Sequence, residues 1–470
     1  MDRDGAMSRP SSAPPPLSAV ILAAGEGKRM KSRLPKVLQP LAGRPLLKHV
    51  IDTARALSPQ AIQVVYGHGG ERVREALSAE PVTWVEQTER LGTGHALLQA
   101  MPHVPDDHLV LVLYGDVPLL DPGTLSRLVA LSLPGQLALL TMRPESPEGY
   151  GRIVRDPAGH VARVVEQKDA SAAELALSEC NTGVLAAPAR LLKAWLAGLG
   201  NDNTQGEYYL TDVIGMAVGQ GVAVNPLMLA DPIEALGVND KAQLALLEAV
   251  CRRNAARDLM LGGVTVADPA RLDVRGRVTH GADVFIDVNV VLEGHVKLGD
   301  RVRIGPGCVI RDCEIGDDTE IFPFCVLDGA AIGACARIGP FARMRPTATL
   351  ADGVHIGNFV EVKNSSLGEE SKANHLSYVG DAEVGAHVNI GAGTIIANYD
   401  GANKHRTVIR DDVHTGSNSV LVAPITVGKG ATIAAGSTVA AEVPAGKLTV
   451  ARARQTTIEG WIRPVKRPKT

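Results

Sequence analysis

Between about residues 282 and 440 the sequence repeats in steps of six, and this period limits the folds that the chain can adopt. An apolar residue returns at every sixth position in three runs: Ile286, Leu292, Leu298, Ile304 and Ile310; Ile338, Met344, Leu350, Ile356 and Val362; Leu421, Val427, Ile433 and Val439. Neither a helix nor simple strand alternation has this period, whereas a hexapeptide β-helix does. Each hexad would form a short strand with its apolar residue inside, and glycine is expected where the chain bends.

Length and composition are consistent with more than one domain. The 470 residues have room for two or three domains, and aromatic residues make up only 3%, which suits a narrow prism filled by Ile, Val, Leu and Ala. A net charge of -3 gives no sign of nucleic-acid or membrane binding, and no segment is apolar enough to span a membrane. The six cysteines contain no CxxC pair, so neither disulfides nor zinc are expected. The four cysteines within the repeats are interpreted as small apolar fillers.

The sequence divides into five segments. Residues 1–17 are rich in Ser and Pro and lack the apolar core of a signal peptide, which predicts a disordered leader on a cytoplasmic protein. Residues 18–238 alternate apolar runs with helical patterns, which predicts a mostly parallel sheet wrapped by helices. A linker helix is predicted over 239–263 and the β-helix over 264–453. Residues 454–470 form a basic tail, which a solvated segment or an anionic ligand would explain equally well.

A glycine turn follows the first predicted strand, at residues 22–30, with Lys36 shortly after it. A dinucleotide-binding fingerprint would need glycine in place of Met30 and an acidic residue about twenty positions later. A P-loop would need Ser or Thr after Lys28, where Arg29 stands. What remains is a turn whose backbone amides approach phosphates, with Arg29 and Lys36 to neutralise them. An ordinary surface lysine is the alternative for Lys36.

The repeat also predicts which outward side chains stack. Three hexads make one triangular coil, so positions eighteen apart should lie one coil apart, about 5 Å along the axis. Arg345 and Lys363 each follow an equivalent inward residue, so they should lie above one another outside the prism. A five-residue step then brings Tyr378 above Glu361 in the neighbouring column. Two stacked cations beside a tyrosine would suit a phosphate, and a solvated charge ladder is the alternative.

Two further features lie near that corner. His375 is positioned on the face leading into it, and a neutral imidazole is the natural general base near pH 7, although most histidines on a β-helix are plain surface residues. The six-residue period breaks between Ile396 and Ile409, where residues 398–406 have turn chemistry and should protrude.

Motifs in both halves resemble one family. In the N-terminal half they are residues 22–36, Gln87, 91–94, 114–116, 149–152, Glu166, 181–183 and 206–212, and in the C-terminal half residues 372–378 precede the hexapeptide tail. From about Ala19 onward the chain resembles the bifunctional enzymes that join N-acetylglucosamine-1-phosphate uridylyltransferase to glucosamine-1-phosphate N-acetyltransferase. One departure is Lys28, where many members carry Thr, and it puts the local phosphate contacts in doubt.

The resemblance implies a Rossmann-like nucleotidyltransferase domain joined by a long helix to a left-handed parallel β-helix of hexapeptide repeats. It implies acetyl transfer from acetyl-CoA to glucosamine 1-phosphate, then uridylyl transfer from UTP to N-acetylglucosamine 1-phosphate with release of pyrophosphate. The product, UDP-N-acetylglucosamine, would serve peptidoglycan and lipopolysaccharide synthesis. Mg²⁺ for nucleotidyl transfer and a homotrimer are implied as well, with neither nucleic acid nor membrane insertion.

The same resemblance assigns the residues of the first site. Arg29 and Lys36 are implied as catalytic, and the UDP-sugar would contact Leu22, Ala23, Ala24, Gly25, Lys36, Gln87, Gly92, Thr93, Tyr114, Gly115, Asp116, Gly151, Glu166, Asn181 and Asn239. The metal ligands would be Asp116, which follows an apolar strand where open α/β sheets bind ligands, and Asn239. The alternatives are a turn residue before Pro118 for Asp116, helix N-capping for Asn239 and a solvated charge for Glu166.

For the second site the resemblance makes His375 the base. It assigns the sugar phosphate to Arg345, Lys363, Tyr378 and Asn389. It assigns the sites that acetyl-CoA and the sugar phosphate share between chains to Ala392, Asn398, Tyr399, Ser417, Ala435 and Arg452.

Two other functions would also use such a prism. The first is a single-activity sugar-1-phosphate nucleotidyltransferase with an inert, trimerising β-helix, and His375 with the 345/363/378 corner speaks against it. The second is a metal-dependent prism enzyme of the carbonic anhydrase type, which needs three converging histidines, and the repeat shows no phased trio.

Overall fold

The structure is a computed structural model that describes residues 14–67, 70–133 and 135–466. Residues 1–13 of the predicted leader and 467–470 of the predicted tail lie outside the described residues. The chain divides into two compact units, Met1–Glu248 and Ala249–Thr470, called here the N-terminal unit and the C-terminal unit. The division into five segments stays a prediction, although Leu17, placed in the leader, already begins the first strand.

The N-terminal unit alternates strands and helices, as its apolar runs predict. Its strands are β1 (Leu17–Ala23), β2 (Pro40–Leu41), β3 (Arg44–Pro45), β4 (Ala61–Gly67), β5 (Thr83–Gln87), β6 (Leu109–Tyr114), β7 (Leu137–Met142), β8 (Arg152–Arg155), β9 (Val161–Val165), β10 (Cys180–Pro188) and β11 (Val224–Met228). Its helices are α1 (Leu46–Ala56), α2 (Glu71–Ala76), α3 (Thr93–Ala100), α4 (Pro122–Leu131), α5 (Ala172–Leu175), α6 (Ala189–Ala197) and α7 (Asp212–Gly219), with 3₁₀ turns at Lys28–Met30, Lys36–Leu38, Met101–His103 and Pro232–Ala235.

The main sheet of this unit has the order β11-β7-β10-β6-β1-β4-β5, and β1 pairs in parallel with both β4 and β6. Alternate residues of β1 enter two apolar cores, Ala19 and Ile21 on one face and Val20 and Leu22 on the other. A strand that is buried on both faces shows the continuous apolar run seen in the sequence. The prediction of a mostly parallel sheet is confirmed, but β10 runs antiparallel to β6 and β7.

Helix α8 (Lys241–Leu261) follows where the linker was predicted and continues into the C-terminal unit. Asp240 caps its start, because the Asp240 carboxylate accepts a hydrogen bond from the Gln243 backbone N–H at 2.9 Å. Gly262 and the left-handed Gly263 end it, as predicted. None of the helices in the described ranges combines the length and apolar character that a membrane span requires.

The C-terminal unit is a left-handed parallel β-helix of short strands. After β12 (Thr265–Val266) and a 3₁₀ turn at Pro269–Arg271, the strands are β13 (Leu272–His280), β14 (Phe285–Ile286), β15 (Val290–Leu298), β16 (Arg303–Ile304), β17 (Val309–Arg311), β18 (Glu314–Ile315), β19 (Glu320–Ile321), β20 (Val326–Asp328), β21 (Ala331–Ile332), β22 (Arg337–Ile338), β23 (Arg343–Met344), β24 (Thr349–Leu350), β25 (His355–Asn358), β26 (Glu361–Lys363), β27 (Ser366–Leu367), β28 (Lys372–His375), β29 (Tyr378–Gly380), β30 (Ala382–Val384), β31 (Asn389–Ile390), β32 (Ile395–Ala397), β33 (Thr407–Ile409), β34 (His414–Thr415), β35 (Val420–Val422), β36 (Ile425–Val427), β37 (Thr432–Ile433), β38 (Thr438–Val439) and β39 (Leu448–Thr449). Every apolar residue that the six-residue period places inside is buried in one core along the prism.

The stacking register agrees with the one predicted from the sequence. Arg343 pairs with Glu361, eighteen residues on, and Glu361 pairs with Tyr378, seventeen residues on. At the insertion the interval rises to twenty-five, since Glu383 pairs with Val408. The ladder therefore continues on both sides of residues 398–406, most of which are exposed. This confirms the predicted protruding loop.

Glycine accounts for only part of the bends, so the expectation of glycine where the chain bends holds at some corners and fails at others. Residues other than glycine have left-handed φ at many corners, including Asn289, Arg301, Asp318, Phe324, Phe341, Phe359, Leu376 and Asp381. Each carries a local cost of roughly 1–2 kcal/mol, which the coil-to-coil hydrogen bonds must offset. Cys335 is also a corner, with φ of 55°, and is exposed, so it is not an apolar filler. Cys308, Cys313 and Cys325 are buried fillers as predicted.

The packing predicts that substitutions at two neighbouring residues of β37 affect stability by very different amounts. Ile433 is 1% exposed and belongs to the prism core, whereas Thr432 faces solvent. Ile433→Ala should lower the free energy of unfolding of the C-terminal unit by about 2–5 kcal/mol, and Thr432→Ala should change it by less than about 0.5 kcal/mol. Denaturant unfolding of both variants, followed by circular dichroism, measures this. Equal losses would show that the inward register is misplaced.

Candidate active sites

A cavity of about 410 Å³ opens in the N-terminal unit beyond the carboxyl end of β1. The carboxyl ends of parallel strands meet at one sheet edge, which is where such sheets bind ligands. Ten predicted residues line it: Leu22, Ala23, Ala24, Gly25, Lys36, Gln87, Gly92, Thr93, Tyr114 and Asp116. The lining also includes Glu26 and Glu207, which lie within the motifs but were given no role, and Arg90, which lies outside them.

Lys36 joins the two predicted metal ligands. Its ammonium group donates a hydrogen bond to the Asp116 carboxylate and another, at 3.2 Å, to the carboxamide oxygen of Asn239. Both members of the ion pair are largely covered, with Lys36 11% and Asp116 17% exposed. The two oxygens therefore converge on one cation, which fits a pair of hard ligands for Mg²⁺. N-capping is not the role of Asn239, because Asp240 is the residue that caps α8.

The predicted uracil contacts Gln87, Gly92 and Thr93 lie around one tight turn. The Gln87 side-chain amide donates to the Gly92 carbonyl at 3.2 Å, and the Thr93 hydroxyl accepts from the Leu210 backbone N–H at 3.1 Å. Gly92 has φ of 107°, and a Cβ there would lie 2.7 Å from the Tyr208 carbonyl oxygen. Only glycine fits this turn, which explains the Leu-Gly-Thr-Gly motif in steric terms.

The predicted sugar contacts form a second group near Tyr114. The Asn181 N–H donates to the Gly151 carbonyl at 2.9 Å, and a Cβ at Gly151 would lie 3.6 Å from a Glu166 carboxylate oxygen. The Thr211 hydroxyl donates to Glu166 at 3.0 Å, while burial raises the pKa of Glu166. Burial also raises the pKa of Tyr114, with further contributions from the Glu166 and Asp116 charges. The Tyr114 hydroxyl thus lies close enough to the Glu166 and Asp116 carboxylates for their charges to disfavour its ionisation.

Six predicted residues do not line this cavity: Asn239, Gly151, Glu166 and Asn181, whose contacts are given above, and Arg29 and Gly115. Arg29 lines a larger cavity of about 970 Å³ with Tyr150 and Gly237, so its action together with Lys36 stays a prediction. Gly115 is not among the lining residues; a Cβ there would lie 3.0 Å from the Ala23 side chain, so its smallness serves packing. Lys28, the departure from the family pattern, forms an ion pair with Glu26 at 2.9 Å.

In the C-terminal unit the stacked cations Arg345 and Lys363 each hold a carboxylate. Arg345 donates to Glu361 at 3.0 Å, and Lys363 donates to Asp381 at 3.0 Å. Asp381 is 7% exposed and was not foreseen. Burial alone would raise its pKa, but donors from Asn364, Lys363 and Asn398 outweigh it and hold the pKa below the ordinary value. The corner is therefore a bonded network rather than a free charge ladder.

The positions equivalent to His375 in the following coils carry small residues, which form a column along the prism. The His375 carbonyl accepts from the Gly393 N–H at 3.0 Å, the Ala392 carbonyl from Asn418 at 2.7 Å and the Ser417 carbonyl from Gly436 at 2.8 Å. This repeated bond places His375, Ala392 and Ser417 at equivalent positions of successive coils, and Ala435 holds that position in the next coil. The predicted base and three predicted acetyl-CoA contacts thus form one row. Counting in seventeens and eighteens along the sequence does not reveal this row, because the insertion lengthens one interval to twenty-five.

The remaining predicted residues of this site are at its borders. The Asn398 amide lies 3.4 Å from the Tyr378 hydroxyl and also donates to Asp381. Tyr399 and Lys404 form an antiparallel bridge within the protruding loop. Arg452 donates to the Ala435 carbonyl at 2.6 Å. Asn389 lies in the ladder between Lys372 and His414.

Comparisons with known proteins match both units. A family model described as MobA-like NTP transferase domain matches residues 19–205, one described as GMPPB C-terminal domain matches 274–365, and one described as bacterial transferase hexapeptide matches 406–441. The protein named "Bifunctional protein GlmU" from Azoarcus sp. (strain BH72) is 58% identical over 450 residues, covering 96% of this chain and 100% of its own. Proteins of the same name from Ralstonia nicotianae and Alkalilimnicola ehrlichii are each 57% identical over 96% of this chain, covering 100% and 97% of their own.

Glu166 and Glu174 in the N-terminal unit have pKa values shifted in opposite directions, which predicts opposite pH effects on stability. Because burial raises the pKa of Glu166 above 4.5, its charged form opposes folding at pH 8. Glu166→Gln should therefore stabilise the unit at pH 8, and this gain should vanish below pH about 4, where folded and unfolded chains both hold the proton. Urea unfolding midpoints at the two pH values measure the difference.

Glu174 is the control of opposite sign. Hydrogen bonds from Ser171, followed by Arg163, lower the pKa of Glu174 to about 2, so its charged form favours folding. Glu174→Gln should destabilise the unit at pH 8 and still do so at pH about 4, because the native advantage is lost only as pH falls towards the folded pKa. A stabilising effect of Glu174→Gln would contradict this assignment.

Proposed function

The chain belongs to the family of bifunctional GlmU proteins, and from this we propose which of its residues carry out the two reactions. The enzyme transfers an acetyl group from acetyl-CoA to glucosamine 1-phosphate, then a uridylyl group from UTP to N-acetylglucosamine 1-phosphate. The relatives are named as bifunctional proteins and match over both units, which argues against the alternative of a single-activity enzyme with an inert β-helix. The cytoplasmic location stays a prediction.

We assign uridylyl transfer to the cavity at the end of β1. A phosphate oxygen of the sugar phosphate attacks the α-phosphorus of UTP, and the bond from that phosphorus to the bridging oxygen of pyrophosphate breaks. Both reactants are anionic, so charge neutralisation and positioning supply most of the catalysis. Lys36 and the amides of the glycine turn neutralise the phosphates, while Gln87, Gly92 and Thr93 hold the uracil. Arg29 is proposed to act on the leaving side.

Mg²⁺ is part of this proposal, held by Asp116 and Asn239. The observation that supports it is the convergence of their two oxygens on the single Lys36 ammonium. When bound, the ion would polarise the phosphate oxygens and stabilise the developing charge. Glu166, Gly151 and Asn181 hold the sugar, with the Glu166 carboxylate accepting from its hydroxyl groups.

We assign acetyl transfer to the column that starts at His375. The imidazole removes a proton as the amine of glucosamine 1-phosphate attacks the thioester carbon. The new C–N bond forms, the C–S bond breaks, and the coenzyme leaves as a thiol after it takes up a proton. The row of Ala392, Ser417 and Ala435 leaves room for an extended coenzyme arm. Arg345, Lys363, Tyr378 and Asn389 hold the sugar phosphate, and Asn398, Tyr399 and Arg452 complete the coenzyme contacts.

A homotrimer is proposed from an exposed aromatic ladder. Phe324, Phe341 and Phe359 stack with ring centroids 5.2 and 5.3 Å apart and are 53%, 48% and 55% exposed. Leu376, 62% exposed, follows His375 and extends the row. Another prism has the same axial repeat of about 5 Å, so a second copy suits this row better than an irregular partner. A neighbouring subunit there would cover the ladder beside the proposed base.

Reciprocal substitutions test the two-site assignment. Asp116→Ala should abolish pyrophosphate release and leave acetyl transfer intact, because it removes a metal ligand of one site alone. His375→Ala should do the reverse, and EDTA should act as Asp116→Ala does. Pyrophosphate and free-thiol assays on the same preparations measure both activities. If either variant lost both activities as a folded protein, the assignment would be wrong.

The phosphate corner predicts a loss specific to glucosamine 1-phosphate. A charge-assisted bond to phosphate contributes roughly 1.5–3 kcal/mol, so Arg345→Ala and Lys363→Ala should each lower kcat/KM about ten- to a hundredfold. Arg345→Lys should stay impaired, because Lys cannot reproduce the planar fork. Arg311→Ala is the control, since Arg311 bonds Glu293 at 2.8 Å on an earlier coil and should keep its kcat/KM. Normal kcat/KM in all variants would leave only a structural network.

The aromatic ladder predicts the oligomeric state. Phe341→Asp should convert the trimer to monomers and reduce acetyl transfer, while UDP-sugar formation persists, because a charge cannot be buried against a neighbouring prism. Phe285→Asp is the control, since the Arg303 guanidinium lies 4.9 Å from that ring and would pair with the new carboxylate. Light scattering gives the mass of each. A trimer that survives Phe341→Asp would exclude this face as the interface.

A further inference from the structure

We propose that Asn358 is a positioning residue that fixes the ring orientation and the tautomer of His375 for acetyl transfer. The inference rests on the proposed role of His375 as the base. It assigns to Asn358 a task that the sequence pattern gave to no residue.

The two side chains are direct neighbours in the coil-to-coil ladder. Asn358 and His375 are register partners of the parallel strands β25 and β28, and the Asn358 carboxamide oxygen lies 2.9 Å from the His375 Nδ1. A carboxamide oxygen is only an acceptor, so the imidazole Nδ1–H donates to it. The lone pair is then on Nε2, which is the atom left to take a proton from the substrate amine.

The local backbone shows why one side-chain bond is enough. The His375 carbonyl accepts from the Ser377 hydroxyl at 2.8 Å and from the Gly393 N–H at 3.0 Å, and the Asn358 carbonyl accepts from the Leu376 N–H at 3.1 Å. The main chain of the base is therefore held on both sides, and its remaining freedom is rotation of the exposed imidazole. Asn358 is the group that restrains this rotation.

This pairing is specific to one pair of coils. Strands β25 and β28 have four residues each, whereas the preceding strand of the same sheet, β22, has two. The extra length carries the ladder out to Asn358 and His375. The equivalent position in the coil of β22 is Pro340, which has no side-chain acceptor.

A neutral partner suits the surroundings of the base. The charged or titratable groups on the strands around it are His355 on β25, Lys372 on β28 and Arg337 on β22, while β31 contributes the uncharged Asn389. Burial, then the charges of Arg337, Lys372 and His375, lower the pKa of His355. An amide orients His375 without adding a negative charge that would keep the imidazole protonated and unable to act as a base.

Two substitutions in the full-length enzyme test the orientation. Asn358→Leu keeps the approximate size and removes the acceptor, so kcat for acetyl transfer should fall about ten- to a hundredfold with little change in the KM for glucosamine 1-phosphate. Asn358→Asp keeps an acceptor, so it should rescue kcat at high pH while moving the acidic limb of the pH profile upward by about one unit or more. The shift should persist in a His355→Gln background, which excludes titration of His355.

A double-mutant cycle separates positioning from mere stability. In a His375→Ala background, Asn358→Leu should cause no further loss of acetyl transfer, because the group it orients is gone. Unchanged UDP-sugar formation and trimer mass would confirm that each variant is folded. Two results would overturn the inference alone. One is that Asn358→Leu lowers acetyl transfer equally with and without His375, and the other is that Asn358→Leu keeps wild-type kcat while His375→Ala is inactive. Wild-type acetyl transfer by His375→Ala would overturn the proposed base, and this inference with it.

Discussion

The parallel ladder of coil-to-coil hydrogen bonds is the constraint on which the C-terminal unit depends. It fixes the residue that stands above each residue one coil below, at intervals of seventeen or eighteen through most of the prism. The interval is twenty-five across the insertion, twenty at the first pairing and sixteen at the last. Distant positions such as Asn358, His375 and Ala392 therefore become neighbours without any tertiary contact between loops. The ladder also holds the left-handed corners, whose backbone conformation most residues avoid.

The N-terminal unit depends on a different interaction, the contact of one ammonium with two oxygens. Lys36 bridges Asp116, which follows β6, and Asn239, which precedes α8. Three segments far apart in the sequence are thereby fixed at one edge of the sheet. Because the Lys36 ammonium bonds both oxygens, the largely covered Asp116 carboxylate has a partner of opposite charge.

Much of this arrangement could be predicted from the sequence, because strict periods carry geometric information. The inward residues, the stacking of Arg345 on Lys363 and the protruding loop all follow from counting in sixes. The parallel strands around β1 follow from continuous apolar runs. Asp381 could not be predicted, since its burial depends on Lys363, Asn364 and Asn398 closing over it from other segments. The corners filled by Phe, Leu or Cys could not be predicted either, because local propensity favours glycine there and only neighbouring coils enforce the bend.

The stacked construction has a consequence for how the acetyl-transfer site would fail. Each coil contacts only the coils next to it, so opening is easiest at the outermost coils and spreads inward. Ala435 and Arg452 lie near the last strands, β37 and β39, of only two residues each, whereas His375 has coils on both sides. Mild heating would therefore fray the coenzyme contacts before it disturbs the base. Affinity for acetyl-CoA would weaken while the turnover of bound substrate persists, a graded loss rather than an all-or-none one.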